Sequence, residues 1–406
     1  MSREMKNSGV EWIGEIPDDW DLDRIKNILI ERKEMNKPVK TDFILSLTND
    51  RGVIPYSEKG DIGNKSKEDL TSYKLAYPGD IVLNSMNAII GSIGLSKYFG
   101  AVSPVYYMLR PRSDTDNVEY FNWLFQTKQF QENLKGYGNG IMELRMRISM
   151  GKLNTILIPY PNRYEQIKIS HVISEKVEKI DFILEQTKST IEDYKLLKQS
   201  IITEAVTKGL EKNVEMRDSG IEWIGEIPSN WGIVKLKNIC YMKSGDNLIS
   251  DQIEQEGKFP VYGGNGIRGY YNEYNREGES ILIGRQGALC GNIQFANDRF
   301  WATEHALVTK IKEEYSSSFY FYFLQFMNLN QYSQSAAQPG LSAKVILNLD
   351  VCIPPVNIQE AIAEKLHNNL SNIDILIEKK ESLIDELQSY KKSVIYEYVT
   401  GKKEVK

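Results

Sequence analysis

Side chains suited to recognising nucleic-acid bases occur in a glycine-rich segment of the second half of the chain. The segment from Tyr262 to Tyr271 carries Asn265, Arg268 and Tyr270 among glycines. In a major groove, Arg suits guanine edges and Asn suits adenine edges, and glycines let the backbone come close to a duplex. We predict an exposed, base-contacting loop here. The simpler interpretation is a glycine-rich hairpin with solvated polar tips.

A second polar segment recurs in both halves of the chain. Arg285 and Gln286 follow a predicted strand, and the equivalent segment of the first half carries Asn84 and Asn87. All four side chains can form paired hydrogen bonds with a base, yet their identities differ between the halves. This difference favours two recognition surfaces for two different sequences.

A third polar segment precedes the last predicted strand of each half. In the first half it contains Arg145 and Arg147, and in the second half it contains Ser342 and Lys344. Basic side chains here are candidates for DNA contact. A surface loop that only leads into the terminal strand is the alternative.

The motifs of common catalytic sites are missing from the sequence. It contains neither a GxxxxGK[ST] phosphate loop nor an HExxH zinc helix. One GxGxxG pattern spans Gly264–Gly269, but the residues after it predict a strand, whereas a dinucleotide site needs a helix there. The three histidines and three cysteines are too widely spaced for a metal-binding motif. We predict a chain with no catalytic residue and no metal site.

Cysteine usage and hydropathy predict a cytoplasmic protein. The three scattered cysteines suit buried free thiols in a reducing compartment. The most apolar run, Phe319–Met327, is far shorter than the ~20 residues of a membrane helix, and the N-terminal residues lack a signal-peptide core. We expect a soluble, intracellular chain.

An internal repeat organises the 406 residues. SGVEWIGEIPDDW at residues 8–20 matches SGIEWIGEIPSNW at residues 219–231 in ten of thirteen positions, at an offset of 211. Weaker matches continue to the end of each half, whereas residues 40–80 and 245–275 hardly match. A period of this length predicts two tandem domains rather than a solenoid. Similar ends with divergent middles indicate one scaffold that presents two different surfaces.

Two segments without proline or glycine, Tyr164–Thr207 and Ile358–Thr400, predict long amphipathic helices. Apolar residues recur with three/four spacing over several heptads, as is typical of a coiled coil. At ~1.5 Å per residue, each helix would be ~60 Å long. The predicted seam positions match between the helices at an offset of 193 and include Ile180, Leu184, Ile191, Tyr194, Ile201, Ile373, Ile377, Ile384, Leu387 and Val394.

Polar residues in both seams favour pairing of the two helices with each other. Thr187, Lys198 and Lys391 fall at core positions, where polar residues set the register of a partnered helix. We expect antiparallel pairing and approximate two-fold symmetry between the repeats. The alternative is two separate helices that each cap their own domain.

The remaining segments predict an α+β fold in each domain. We expect a buried strand at Val102–Leu109 and aromatic-rich helices at Glu119–Phe130 and Ser318–Asn328. The predicted organisation is a strand-rich domain at residues 1–160, a first long helix at 161–209, a second strand-rich domain at 210–355 and a second long helix at 356–406.

The charge balance limits how this chain could bind DNA. It carries 50 basic and 55 acidic residues, a net charge of −5. Residues 1–160 hold 21 of each sign, and residues 210–355 hold 13 basic and 17 acidic side chains. This balance argues against strong nonspecific binding by the free chain. We expect phosphate neutralisation by this chain alone to be weak.

Several segments carry a family resemblance over nearly the full length. They are the duplicated opening motif, YGGNGIRGYY, IGRQGALCGNI, WATEHALV, and the helix starts IPYPNRYEQIKI and IPPVNIQEAIAEKL. With the duplicated arrangement, the chain resembles the specificity subunit of type I restriction-modification systems. One departure is that residues 55–75 contain no counterpart of YGGNGIRGYY.

The resemblance implies how such a chain works. Each variable domain would be a target recognition domain for one half of a bipartite, asymmetric DNA site, and the paired helices would be conserved spacers that set the distance between the halves. The subunit would have no catalytic activity. Its partners would be two modification subunits, which bind S-adenosylmethionine and methylate adenine, and restriction subunits, which translocate and cleave DNA.

Two hypotheses of other classes remain open. One is a self-sufficient restriction-modification enzyme, although no residues are left over for catalytic domains. The other is a DNA-independent scaffold, which the acidic balance and the long helices favour.

Overall fold

The computed structural model describes residues 3–49, 51–60, 69–139, 147–287, 289–333 and 340–405. The chain forms two units. Unit 1 comprises Met1–Thr187 and Ser382–Lys406, and unit 2 comprises Lys188–Glu381. Both boundaries fall inside the long helices, so each unit contains one strand-rich part and a segment of each helix.

Unit 1 consists of short strands, short helices and the two helix segments. Its strands are β1 (Met5–Asn7), β2 (Glu15–Pro17), β3 (Asp21–Arg24), β4 (Leu29–Arg32), β5 (Leu45–Thr48), β6 (Gly52–Pro55), β7 (Lys74–Ala76), β8 (Ile81–Asn84), β9 (Ile93–Leu95), β10 (Gly100–Val102), β11 (Tyr106–Pro111), β12 (Gly138–Asn139), β13 (Arg147–Ile148) and β14 (Leu157–Tyr160). Its helices are α1 (Ile25–Ile28), α2 (Val118–Phe125), α3 (Lys128–Asn133), α4 (Met150–Leu153) and the first part of α5 (Arg163–Lys208).

Unit 2 repeats this order with different loops. Its strands are β15 (Met216–Asp218), β16 (Glu226–Pro228), β17 (Gly232–Lys235), β18 (Cys240–Ser244), β19 (Phe259–Gly263), β20 (Gly266–Tyr271), β21 (Arg276–Glu277), β22 (Ser280–Gly284), β23 (Ile293–Ala296), β24 (Arg299–Ala302), β25 (Ala306–Ile311) and β26 (Asp350–Ile353). Its helices are α6 (Ser317–Phe326), α7 (Ala343–Leu347) and the first part of α8 (Val356–Val399), which ends in unit 1.

The same four-stranded antiparallel sheet is present in each unit. Its strand order is β4-β11-β8-β9 in unit 1 and β18-β25-β22-β23 in unit 2. Because side chains alternate across a strand, Ile81 and Leu83 enter the main core beside Phe121, whereas Val82 enters a smaller core on the other face with Leu45. These sheets confirm the predicted α+β class.

Two predicted elements are wrong in detail. Val102–Leu109 is not one strand: Tyr106 N–H donates to the Ser103 carbonyl in a tight turn, so β10 and β11 lie in different sheets. The segment Glu119–Phe130 is not one helix either, because the Thr127 side chain accepts from Phe130 N–H and starts a new helix, α3. The predicted helix at Ser318–Asn328 is confirmed as α6.

The two long helices run antiparallel within each unit. In unit 1 the start of α5 shares a core with the end of α8, through Ile173 and Val394, and in unit 2 the end of α5 shares a core with the start of α8, through Ile202 and Leu366. Of the predicted seam positions, five are buried and five are half-buried. Buried are Ile180, Leu184, Ile191, Ile373 and Val394, and half-buried are Tyr194, Ile201, Ile377, Ile384 and Leu387.

The seam lysines make ion pairs across the helices. Lys391 Nζ lies 2.6 Å from Asp181 Oδ1 in unit 1, and Lys198 pairs with Asp374 in unit 2. Thr187 was predicted to set register, but its hydroxyl donates to the Ile183 carbonyl of its own helix at 2.7 Å. Lys198 and Lys391 thus bond across the helices in partly exposed ion pairs, each worth at most about 1 kcal/mol, whereas the Thr187 hydroxyl bonds within α5.

The duplicated opening motif holds the C-terminal end of a long helix in each unit. In unit 1, Trp20 is 1% exposed beneath Gly401, and the Tyr120 hydroxyl donates to the Val399 carbonyl at 2.8 Å. In unit 2, Trp231 is 3% exposed and packs against Gly209 at the end of α5. The motif recurs because each unit must bury one helix end.

The three cysteines are free and buried, as predicted. Burial raises the pKa of the Cys240 and Cys352 thiols to about 12, which keeps both protonated near neutral pH. No described helix combines the length and the apolar character needed to cross a membrane.

We predict that Gly401→Ala destabilises unit 1. Gly401 has φ +70°, and an added Cβ would lie 2.4 Å from Pro17 Cδ. The strained backbone costs about 1 kcal/mol, and overpacking at the helix end costs roughly 2 kcal/mol more. Urea unfolding followed by tryptophan fluorescence measures the loss of unfolding free energy.

Gly79→Ala is the matched control, because Gly79 has φ +86° but open space around the added Cβ. It should lose only the backbone contribution. Equal losses of unfolding free energy in the two variants would show that the space between Gly401, Pro17 and Trp20 accommodates an added methyl group.

Candidate nucleic-acid interface

The glycine-rich segment of unit 2 is a hairpin, as the simpler of the two interpretations of its sequence predicted. β19 and β20 are joined by a turn at Gly264 and Asn265, and Gly266 starts the second strand at φ +94°. The strand predicted after the GxGxxG pattern is confirmed as β20. Asn265 Oδ1 accepts from Asn292 Nδ2 at 2.5 Å, which fixes the exposed tip of the hairpin.

Arg268 and Tyr270 lie on the second strand of this hairpin. Arg268 is exposed, and its side chain covers Gly263, where an added Cβ would lie 2.4 Å from Arg268 Cδ. Tyr270 is half-buried, and its backbone exchanges hydrogen bonds with Glu254 at 2.8 and 3.0 Å. Arg268 therefore faces solvent beside the tip, while Tyr270 holds the hairpin to the rest of unit 2.

The three polar segments of unit 2 meet at one place. A Cβ on Gly284, at the end of β22, would lie 2.0 Å from the Gly264 carbonyl oxygen, so only glycine allows the hairpin to approach. The next residue, Arg285, donates its N–H to the His305 carbonyl at 2.8 Å and accepts from Leu341 N–H at 2.9 Å. The hairpin tip, the strand-end segment and the third segment thus form one polar surface.

Hydrogen bonds order the side chains of that surface. Arg285 Nη1 donates to Ser244 Oγ at 2.9 Å, and Gln286 Oε1 lies 2.9 Å from His305 Nδ1. His305 Nε2 lies 3.1 Å from Glu304 Oε1, whereas Glu304 Oε2 is buried with no hydrogen-bond partner among the described residues. The sequence analysis did not single out His305 and Glu304, which lie on this surface, although an adjacent Glu-His pair between two strands was a usable signal.

Unit 1 has the same backbone frame at this place. Ile148 N–H donates to the Ser85 carbonyl at 2.9 Å, the counterpart of the bond from Leu341 to Arg285. Ser85 N–H lies 3.4 Å from the Val105 carbonyl oxygen, the counterpart of the 2.8 Å bond from Arg285 to His305. The predicted alignment of residues 84–87 with 284–287 is correct. Ser85 itself is fully buried, so the position that carries Arg285 in unit 2 carries no exposed side chain in unit 1.

The predicted site residues of unit 1 are less prominent than those of unit 2. Asn84 is only 8% exposed, and its Oδ1 accepts from Met86 N–H at 3.0 Å, which shapes the turn. Asn87 is half-buried, whereas Arg147 is exposed on β13 next to the buried Ile148. Arg145 lies outside the described residues. Arg147 and Asn87 are thus the described candidates that reach this surface of unit 1.

Burial also controls the ionisable groups under the surface of unit 2. It raises the pKa of the Tyr262 hydroxyl and of the Cys290 thiol, and Cys290 Sγ lies 3.2 Å from the Arg285 carbonyl oxygen. Both groups therefore stay neutral at physiological pH and support the loops. Among the described residues, no cluster of His, Cys, Asp and Glu could hold a metal ion.

Two relatives are similar in sequence. The specificity subunit of the type I restriction enzyme EcoprrI of Escherichia coli is 42% identical over 132 residues, which cover 32% of this chain and 33% of that protein. The putative specificity subunit of the type I restriction enzyme MjaX of Methanocaldococcus jannaschii is 25% identical over 422 aligned positions, which cover 97% of this chain and 96% of that protein.

The fold has a counterpart among solved structures. A chain from a structure of complex assembly and conformational transition in a type I R-M system matches with a TM-score of 0.74 and 15% identity, over 95% of this chain and 99% of that chain. At this identity the match concerns the fold alone. The family described as "Type I restriction modification DNA specificity domain" matches residues 17–193 and 228–385. Because these two matches cover most of the sequence, the chain belongs to the family of type I restriction-modification specificity subunits.

Proposed function

We propose that this chain recognises a bipartite DNA site for a type I restriction-modification complex, with one half-site for each unit. The observation that carries the proposal is the repeated backbone frame at Ser85 and Arg285. Equivalent backbone hydrogen bonds at these positions hold different side chains at the same end of the same sheet. Such an arrangement lets one scaffold recognise two different sequences, because base specificity resides in the side chains.

This proposal assigns a role to each of the four predicted segments of the chain. Residues 1–160 and 210–355 act as the two target recognition domains, and residues 161–209 and 356–406 act as the spacers. The antiparallel register of α5 and α8, held by Lys391–Asp181 and Lys198–Asp374, supports a spacer of defined length.

Catalysis in the proposed complex belongs to other subunits. Two modification subunits would bind S-adenosylmethionine and methylate adenine, and restriction subunits would cleave the DNA. The nearly balanced charge of this chain supports such dependence, because phosphate neutralisation needs a surplus of Lys and Arg.

Exposed apolar side chains on the long helices support docking of the two modification subunits. Phe182 and Ile183 on α5 and Tyr390 on α8 are 63%, 43% and 50% exposed in unit 1. At the offset of 193, Ile375, Leu376 and Leu197 are 47%, 42% and 46% exposed in unit 2. Each set flanks one of the cross-helix ion pairs. Two equivalent apolar surfaces suit two copies of one partner.

We predict that Arg268→Ala and Arg285→Ala relax recognition of one half-site only. Each bidentate contact with guanine contributes roughly 1–3 kcal/mol of discrimination. The measurement is methylation of DNA libraries, randomised in one half-site at a time, by the complex reconstituted with its modification subunits.

Arg299→Ala serves as the control, because it removes an exposed Arg on β24 that pairs with Glu277. It should leave both half-site preferences unchanged. Equal loss of preference at both half-sites in the Arg268 or Arg285 variant would contradict independent recognition by two units. Protection of DNA without sequence preference by the wild-type complex would contradict the recognition proposal.

We predict that inserting one heptad into both long helices, at matching levels, lengthens the spacing between half-sites. Seven residues add about 10 Å along a helix, which sets an upper limit of about three base pairs at ~3.4 Å each. Sequencing of methylated DNA measures the spacing. Unchanged spacing would remove the spacer role, and an altered half-site sequence would contradict the separation of spacing from recognition.

We predict that Phe182→Asp and Ile375→Asp each remove one modification subunit from the complex, and that the double variant removes both. A buried, unpaired carboxylate at the interface opposes docking. Native mass spectrometry gives the stoichiometry.

Ile249→Asp is the matched control, since Ile249 is as exposed as Phe182, at 63%, but lies outside the long helices. It should retain two modification subunits. Full stoichiometry in the double variant would place the docking surface elsewhere.

A further inference from the structure

Unit 1 contains a structural counterpart of the unit 2 recognition hairpin that the sequence alignment does not reveal. No counterpart of YGGNGIRGYY exists within residues 55–75, but hairpin β5–β6 lies just upstream, at residues 45–55. We infer that Asn49 and Arg51, at the tip of this hairpin, contact bases of the first half-site. The inference rests on the proposed function and assigns the residues that carry it in unit 1.

Strand neighbours establish that the hairpins are equivalent. Residue Ile44, which leads into β5, pairs in parallel with Ala101 of β10. In unit 2, Val261 of β19 pairs in parallel with Trp301 of β24. Positions 101 and 301 are related by the same offset of 200 that relates the central sheets. The other edge of β10 pairs antiparallel with β7 in unit 1, and the other edge of β24 pairs antiparallel with β21 in unit 2.

The hairpin tips occupy the same place over the central sheet. The second strand of each hairpin starts with a glycine of positive φ, Gly52 at +66° and Gly266 at +94°. An added Cβ on Gly94 of β9 would lie 2.9 Å from Gly52 Cα, and an added Cβ on Gly266 would lie 3.7 Å from Gln294 Cδ of β23. Positions 94 and 294 again differ by 200. Gly52 therefore corresponds to Gly266, and Arg51 to Asn265.

Each hairpin also covers the same face of the sheet. Leu45, Leu47 and Val53 pack on Val82 and Met108 in the small core of unit 1. Tyr262 packs on Leu282 and Val308, the residues at the corresponding sheet positions, in the small core of unit 2. The apolar side chains differ, but they bury the same sheet face, which places the two hairpins on equivalent sides of their sheets.

The unit 1 tip carries the side chains that base recognition requires. Asn49 and Arg51 are both exposed, and the turn is closed by Arg51 N–H, which donates to Thr48 Oγ1 at 3.1 Å. Arg51 Nη2 donates to the Glu58 carbonyl at 3.1 Å, which ties the guanidinium to the segment that follows β6. Arg recognises guanine and Asn recognises adenine through paired hydrogen bonds. Asp50, between them, lies outside the described residues.

The test uses Asn49→Ala and Arg51→Ala in the complete chain, reconstituted with its modification subunits. Methylation of libraries randomised in either half-site gives a preference for each half-site separately. We expect preference at one or more positions of the first half-site to fall about tenfold or more in each variant, with the second half-site unchanged. Retained preference at the second half-site shows that the variant folds and assembles.

Arg110→Ala is the matched control. Arg110 is also an exposed arginine of unit 1, but it lies four residues along β11 from Tyr106, the residue paired with Asn84 at the recognition end of the sheet. It should change neither half-site. Unchanged first half-site preference in both Asn49→Ala and Arg51→Ala would overturn the inference while leaving the proposed function standing. A wild-type complex without any sequence preference would instead overturn the proposed function.

Discussion

Burial of the helix ends is the constraint on which the structure depends. Each long helix must place its last turn over a tryptophan of an opening motif, Gly401 over Trp20 and Gly209 over Trp231. Because α5 ends in unit 2 and α8 ends in unit 1, each helix end reaches its tryptophan while the two helices run antiparallel within each unit. The duplicated motif and the similar lengths of the helices, 46 and 44 residues, agree with this requirement.

These contacts at the helix ends explain which parts of the two halves resemble each other in sequence. Residues that hold a helix end, such as Ile16 and Ile227, are buried and therefore constrained by packing in both units. Residues at the far end of the central sheet share between the units only the backbone hydrogen bonds that place them, so their side chains can differ. Ser85 and Arg285 illustrate this freedom, since both are held by the same backbone hydrogen bonds.

Prediction succeeded where periodicity or repetition carried the information. The long helices and their seam follow from three/four spacing, because a buried stripe must repeat every helical turn. It failed at Val102–Leu109, where a turn at Ser103–Tyr106 splits an apolar run, and at Thr187, whose hydroxyl bonds its own helix. Both errors arise because the polarity of neighbouring residues does not reveal which backbone carbonyl an N–H or a hydroxyl group will bond.

The duplication, the long helices, the absence of familiar catalytic motifs and the family resemblance could all be read from the sequence. The tertiary structure was needed to show which polar segments lie together and that the tip of hairpin β5–β6 corresponds to the tip of hairpin β19–β20. Strand pairing depends on backbone hydrogen bonds and on the apolar face that is buried, and neither is set by the identity of the tip residues. Hairpins β5–β6 and β19–β20 meet both requirements with unrelated side chains, so their equivalence is visible only in space.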